Sequence, residues 1–331
     1  MLKKIAPGLY ATIAALFITT NAVAADPTPA PSPVASSAPQ APAQTAPAIP
    51  KNFDPCGGPI ELSSKLGNGT ACVFVLGEAA LTAQYASANI PANTQINFMG
   101  NTLNLSGYAH AFGYPAPVVY VGVAPRAQIV ITPPSFVQVN AGKLGTLAAG
   151  TSDMQFEYKQ LLYVNLPKFT MVALDLAYKA PTGSQLLRGP GPEYTINPII
   201  TQPLPHNFGV TIAFPVNNFT VSCLTCSSTS RGWSISPTLT PYWETPSGTL
   251  VALVVQHSFN PSTTPVAFSV GQQFGRHFFV SATEGGFTHS SSRSGPFFGL
   301  VNASSTAYPS LFSVNVNYLF GRSDLPAALM Q

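Results

Sequence analysis

Residues 312–320 read Phe312-Ser-Val-Asn-Val-Asn-Tyr-Leu-Phe320, and the order of these nine residues decides the fold class. Phe312, Val314, Val316, Tyr318 and Phe320 fall on one face of an extended chain, with Ser313, Asn315 and Asn317 on the other. Successive side chains of a strand point to opposite sides, so this segment has one oily and one wet surface. The same period of two recurs upstream. In Met154-Gln-Phe-Glu-Tyr-Lys159 the residues Met154, Phe156 and Tyr158 oppose Gln155, Glu157 and Lys159. Val172, Leu174, Leu176 and Tyr178 share a face opposite Asp175 and Lys179, and Phe208, Val210, Ile212 and Phe214 form another stripe.

A water-soluble β-sandwich alternates in the same way. The segments here run to about ten residues, the length of a tilted membrane-spanning strand and longer than the usual five or six. Aromatic residues fall repeatedly at segment ends (Tyr158, Tyr163, Trp233, Trp243, Phe278, Tyr318), as interfacial girdles require. Connections alternate between tight and long. About twelve strands are expected, near 96–106, 117–124, 126–136, 153–165, 170–180, 193–202, 206–216, 233–243, 248–259, 264–274, 276–287 and 311–320, an even number as such barrels have. The expected fold is therefore all-β, an antiparallel transmembrane β-barrel over 96–320, because only a closed barrel leaves no unpaired backbone edge in lipid.

Composition agrees. Charged residues are 8% of the chain, far below a water-soluble globular protein, while aromatics reach 11% and the net charge is only +3. A disordered chain would have few aromatics, and a nucleic-acid binder would carry a basic patch. Residues 1–24 read as an export signal, with Lys3 and Lys4, an apolar stretch from Ile5 to Thr19, and Ala22-Val-Ala24 as the cleavage site. Residues 25–50 are almost all Pro, Ala, Ser, Gln and Thr, a disordered spacer that cannot bury a core. Residues 51–95 are transitional, and the composition of Glu78 to Ala88 predicts a short helix there, serving as a plug or a periplasmic cap. Residues 321–331 follow the last strand as a C-terminal extension.

Cys56, Cys72, Cys223 and Cys226 form two local pairs, fitting an oxidising compartment, although four cysteines allow three pairings. A zinc half-site or redox dithiol at Cys223-Leu-Thr-Cys226 would need a second ligand pair or a βαβ setting, and neither is visible. Loop-closing disulfides are the expectation.

The middle of the chain resembles the family of outer-membrane channels associated with the meta pathway of phenol degradation. The likeness rests on Tyr114-Pro-Ala-Pro-Val-Val-Tyr-Val-Gly-Val-Ala-Pro-Arg-Ala-Gln-Ile-Val-Ile131, on Ser152-Asp-Met-Gln-Phe-Glu-Tyr-Lys159, and on Ala173-Leu-Asp-Leu-Ala-Tyr-Lys-Ala-Pro-Thr-Gly-Ser184. It covers about residues 96–216, with the spacer and the CxxC outside it. The resemblance implies a passive channel for small hydrophobic or aromatic solutes.

A search for chemistry returns little. His289 sits beside serines in Gly285-Gly-Phe-Thr-His-Ser-Ser-Ser-Arg-Ser294, but adjacent residues rarely align for catalysis and no Gly-x-Ser-x-Gly turn is present. No paired carboxylates, phosphate loop or calcium loop occurs, so no enzyme, cofactor or metal is expected. Glu157, Lys159, Asp175 and Lys179 should face the lumen from neighbouring strands, either as a constriction filtering solutes by charge or as ion pairs filling a closed interior. The stripe Phe312, Val314, Val316, Tyr318, Phe320 resembles the aromatic last strand presented to the barrel assembly machinery. The expected partners are outer-membrane lipid, that machinery and a small-molecule solute, with the protein in the outer membrane of a Gram-negative cell. A closed barrel that binds partners through its extracellular loops is the competing reading.

Overall fold

The computed structural model describes residues 54–57, 61–67, 69–90, 95–98, 101–104, 109–113, 117–140, 145–165, 167–184, 191–222, 229–259, 262–290, 295–297, 301–304 and 310–321. Alternation resolves into twelve antiparallel crossings that close on themselves. They are β1 (Ala79–Ile90), β2 (Ala109–Gly113 continued by Pro117–Ala124), β3 (Ala127–Thr132 and Phe136–Asn140), and β4 (Thr146–Thr151 and Met154–Asn165). Next come β5 (Thr170–Ala180), β6 (Glu193–Pro203), β7 (Phe208–Ala213 and Val216–Ser222) and β8 (Thr229–Ile235 and Thr238–Glu244). The ring is completed by β9 (Thr249–Gln256 and Ser258–Phe259), β10 (Ser262–Phe274), β11 (Phe278–Ser290) and β12 (Ser310–Phe320). Closure is made by β1 against β12, from Ala79 opposite Phe320 to Asn89 opposite Ser310. Four short segments (Gln95–Phe98, Asn101–Asn104, Gly295–Phe297, Val301–Ser304) pair in a separate small sheet.

Several strands bend where proline removes a ladder donor, at Pro133-Pro134, Pro215 and Pro237. Pairing nevertheless passes the bends, because proline carbonyls accept from the next strand: Phe214 N donates to Pro198 O at 3.0 Å, Ser236 N to Pro215 O at 3.1 Å and His257 N to Pro237 O at 2.9 Å.

The outward face is apolar: Phe156, Tyr158, Leu176, Tyr194, Phe268 and Phe312 are all exposed by the chain itself. So continuous a belt suits lipid and would be a liability in water. No helix among the described residues is long and apolar enough to cross a membrane. The turns at 125–126, 167–169, 204–207, 245–248 and 275–277 lie at the end where the chain enters at Ala79 and leaves at Phe320. Tight turns mark the periplasmic end of such barrels.

The structure corrects the first crossing. The stretch Glu78–Ala88, expected as a helix, runs from Ala79 onward as strand β1, and the only turns of helix among the described residues are α1 (Glu61–Leu66), seventeen residues earlier. Ala, Leu and Gln favour a helix in isolation, but β1 pairs with β12 on one side and β2 on the other, and that pairing overrides local preference. Conversely, the described residues of the strand expected at 96–106 pair in the small sheet and not in the barrel. The total of twelve crossings stands because the two errors cancel.

Candidate functional site

Just before β1, the described residues of 54–78 pack as a plug against the inner wall of the barrel. Asp54 Oδ1 accepts from Cys56 N at 2.9 Å, starting a tight turn. α1 then follows, and the Cys56–Cys72 disulfide ties the two ends of the segment together with Cα atoms 6.0 Å apart. Cys223 and Cys226 lie outside the described residues.

At the centre of this plug the Lys65 ammonium lies 2.6 Å from Asp54, 2.5 Å from Glu61 and 2.6 Å from Glu78. It also stands 5.1 Å over the Phe74 ring. Burial alone would lower the Lys65 pKa, but Asp54, Glu78 and Glu61 together outweigh it and hold the ammonium above its ordinary value. Burial pushes the Glu78 carboxyl up, an effect that the Lys65 charge only partly offsets. The three carboxylates could by spacing hold a cation. Lys65 Nζ occupies that position itself, so the cluster is an internal ion-pair knot.

Two apolar clusters clamp the plug to different stretches of wall. Cys56, Ala71, Cys72 and Val73 pack with Leu161 of β4, Met171 and Ala173 of β5, and Ile199 of β6. Leu62 and Phe74 pack with Ala80, Tyr242, Leu250, Ala252, Phe279 and Leu319, from β1, β8, β9, β11 and β12. Polar wall residues then satisfy the plug backbone, as buried amides require. Gln128 Oε1 accepts from Phe74 N at 2.7 Å, Thr201 Oγ1 from Ala71 N at 2.8 Å and Gln273 Oε1 from Ser63 N at 3.0 Å. Glu244 accepts from the hydroxyls of Ser63 and Ser64. Lys159 Nζ donates to Thr70 O. Gly122 allows the closest approach of wall and plug: its N–H donates to Glu78 O at 2.9 Å, and a Cβ there would stand 1.9 Å from Val75 O.

Of the four lumen residues expected from sequence, three share one inward region. Asp175 faces Lys159 directly across β4 and β5, with Glu157 on the same side of β4. Lys179 is not part of that group; it pairs with Glu193 at 3.3 Å, further toward the extracellular end. Asn197 of β6 lies directly opposite Asp175 and extends the row to a third strand. Further toward the extracellular end the inner wall stays polar, with Thr195 Oγ1 donating to Asn217 at 2.7 Å, and level with the plug Thr82 Oγ1 donates to Asn317 at 2.6 Å.

The histidines that invited a catalytic search have structural surroundings. His206 and Asn207 take positive φ (63° and 65°) in the β6–β7 turn, His277 Nδ1 lies 2.8 Å from Leu319 O, and His257 Nδ1 lies 2.9 Å from Thr264 Oγ1. The side chains of His110 and His289 lie outside the described ones. Sequence reasoning missed Gln128, Thr201, Glu244 and Gln273. Their only advance signal was the inward parity of a polar residue on an alternating strand.

Fold and site together define a transmembrane β-barrel of the outer membrane with an N-terminal plug seated in its lumen. No family model matches the sequence, and no curated protein sequence matches it. Among solved structures, an outer-membrane channel from Pseudomonas putida F1 superposes with a TM-score of 0.52 at 13% identity, covering 76% of this chain and 98% of that one. The NanC porin gives a TM-score of 0.45 at 10% identity, covering 72% of this chain and 98% of that one. The Pseudomonas putida toluene transporter TodX gives 0.41 at 7% identity, covering 81% and 94%. At such identities the likeness to the first is one of fold.

Proposed function

We propose that the protein is a channel for small solutes, closed at rest by the 54–78 plug and opened when the plug shifts. One observation carries this reading. The plug is a separate segment held to the wall through side-chain-to-backbone hydrogen bonds from Gln128, Thr201, Gln273 and Lys159, in a lumen whose wall stays polar beyond it. A barrel serving only as a scaffold can fill its interior with its own inward side chains. Glu157, Lys159 and Asp175 then line the path beside the plug and bias which solutes pass. The family resemblance over 96–216 suggests small hydrophobic or aromatic compounds as cargo.

The competing reading, a closed barrel that acts through its loops, is favoured by one fact: both apolar clusters seat the plug tightly. Planar-bilayer recordings of the refolded mature protein, beside a variant lacking residues 54–76, separate the two. Folding of each is checked by the gel shift between unboiled and boiled samples. Discrete steps that become larger or more frequent without the plug are expected. Two well-folded barrels that both fail to conduct would remove the channel and leave the closed barrel.

A further inference from the structure

The wall beside the plug contains one pairing that the plug interrupts. Lys159 and Asp175 are direct cross-strand partners on the inward face, with Glu157 two residues along β4. Opposed ammonium and carboxylate groups at this spacing, with Cβ atoms about 5 Å apart, ordinarily close on each other. Here Lys159 Nζ donates to the plug carbonyl Thr70 O, and no ion pair joins it to Asp175 among the described residues. Asp175 Oδ1 is left buried without a hydrogen-bond partner, and so is Asn197 Oδ1 directly across from it on β6. The two side chains share one hydrogen bond, yet each keeps a buried oxygen without a partner, and buried acceptors are almost always satisfied, so the row calls for a physical account.

We infer that Lys159 is a two-position latch. With the plug seated, its ammonium holds Thr70 O and makes no ion pair with Asp175, whose carboxylate keeps only its hydrogen bond to Asn197. When the plug leaves, the ammonium turns to Asp175, so the open lumen gains an ion pair that the closed lumen lacks. Lys159 thus makes a strong contact in both states, and Asp175 gains its ion pair only in the open one. A flexible four-carbon stem makes both positions reachable from one backbone site. The inference rests on the plug being the gate, but its test does not depend on current.

Cys56 and Cys72 are 9% and 3% exposed with the plug seated, so a reductant reaches their disulfide when the plug comes out. The full chain, carrying Cys223→Ser and Cys226→Ser so that only the plug disulfide reacts, is exposed to a phosphine reductant. Freed thiols are trapped with a maleimide polymer and read on a gel. Asp175→Asn should slow reduction about fivefold and lower the frequency of channel openings to match, the size of one net hydrogen-bonded interaction. Asp175→Glu keeps a carboxylate within reach and should restore most of the rate. In a Lys159→Met background, Asp175→Asn should lose its effect. The latch is overturned if Asp175→Asn leaves reduction unchanged or speeds it, or if it slows reduction equally without Lys159. Reduction that follows the expected pattern in a barrel that never conducts would remove the channel and keep the latch. Plug-gated current that ignores Asp175 would do the reverse.

Discussion

At the scale of single residues, Lys65 carries the most electrostatic weight. Three carboxylates lie within 2.6 Å of its ammonium, and the side chain is fully buried. Removing one member of a buried ionic group leaves uncompensated charge and costs about 3–5 kcal/mol. Lys65→Met should therefore expel the plug, seen as rapid protease cleavage within 54–78 while the barrel keeps its gel shift. Protection equal to wild type would show that the apolar clusters alone seat the plug. Glu78 adds a pH dependence whose sign follows from its raised pKa. The folded plug binds this proton more tightly than the released one, so stability falls as pH rises from about the ordinary 4.5 through the raised value. Lys65, also raised, stays charged across that window and loses its contribution only in strongly alkaline solution. Reduction of Cys56–Cys72, normalised to a small reference disulfide, should be faster at pH 7.5 than at pH 5, and Glu78→Gln should flatten the difference. A difference that persists in Glu78→Gln would place the titration elsewhere. Gly122 makes a purely steric prediction. The Cβ of Gly122→Ala meets the Val75 carbonyl at 1.9 Å, so either wall or plug must shift and leak current should rise. An unchanged closed level would mean the backbone absorbs the clash.

At the scale of elements, the plug is a 25-residue segment with one short helix, too small to hold its shape from its own core. The Cys56–Cys72 bridge closes a span of sixteen residues, for which the chain-entropy model gives roughly 3 kcal/mol. Cys56→Ser with Cys72→Ser should loosen the plug and raise its protease sensitivity, while the heat-modifiable barrel remains because no strand contains either cysteine. A barrel that fails to fold without the bridge would instead make the plug part of the assembly route. The strands were legible from sequence because a period of two is a local property: Met154–Lys159 and Phe312–Phe320 display it within six to nine residues. β1 displays it too, with Leu81 and Tyr85 outward and Ala80 and Thr82 inward, but its alanines weaken the contrast that marks a strand. The plug was not legible, since its partners are remote. Ser63 meets Gln273 and Ala71 meets Thr201, separations of 210 and 130 residues that no local pattern encodes. Lys159 and Asp175 could be placed on the inward face from parity alone. That Lys159 bonds the plug in preference to Asp175 could not be foreseen, because its chosen partner is a backbone carbonyl 89 residues away.

For the whole molecule the decisive join is the seam between β1 and β12, where the last strand made must find the first. Asn317 sits across it, accepting from Thr82 and donating to Phe279 O at 2.9 Å, which links β1, β12 and β11 at one level. On the outer side of the same region the aromatic rings cluster: Phe278 and Phe320 lie 4.9 and 4.8 Å from Tyr318, and His277 stacks on it at 5.8 Å. Such a cluster at the periplasmic rim can serve two ends, an interfacial anchor in the folded barrel or a signal read before folding. The two are separable. As an anchor, Tyr318 and Phe320 stabilise the finished barrel wherever it forms, so Tyr318→Ser with Phe320→Ser should slow refolding into detergent or lipid as much as it lowers the amount in cells. As a signal to the assembly machinery, the same pair matters only while that machinery is reading the strand. We expect the second outcome: heat-modifiable protein in the outer membrane should fall severalfold, with refolding of the purified variant near wild type, because β12 retains all eleven pairs to β1 and its inward residues are untouched. Equal losses in the cell and in the purified refolding reaction would assign these rings to stability alone.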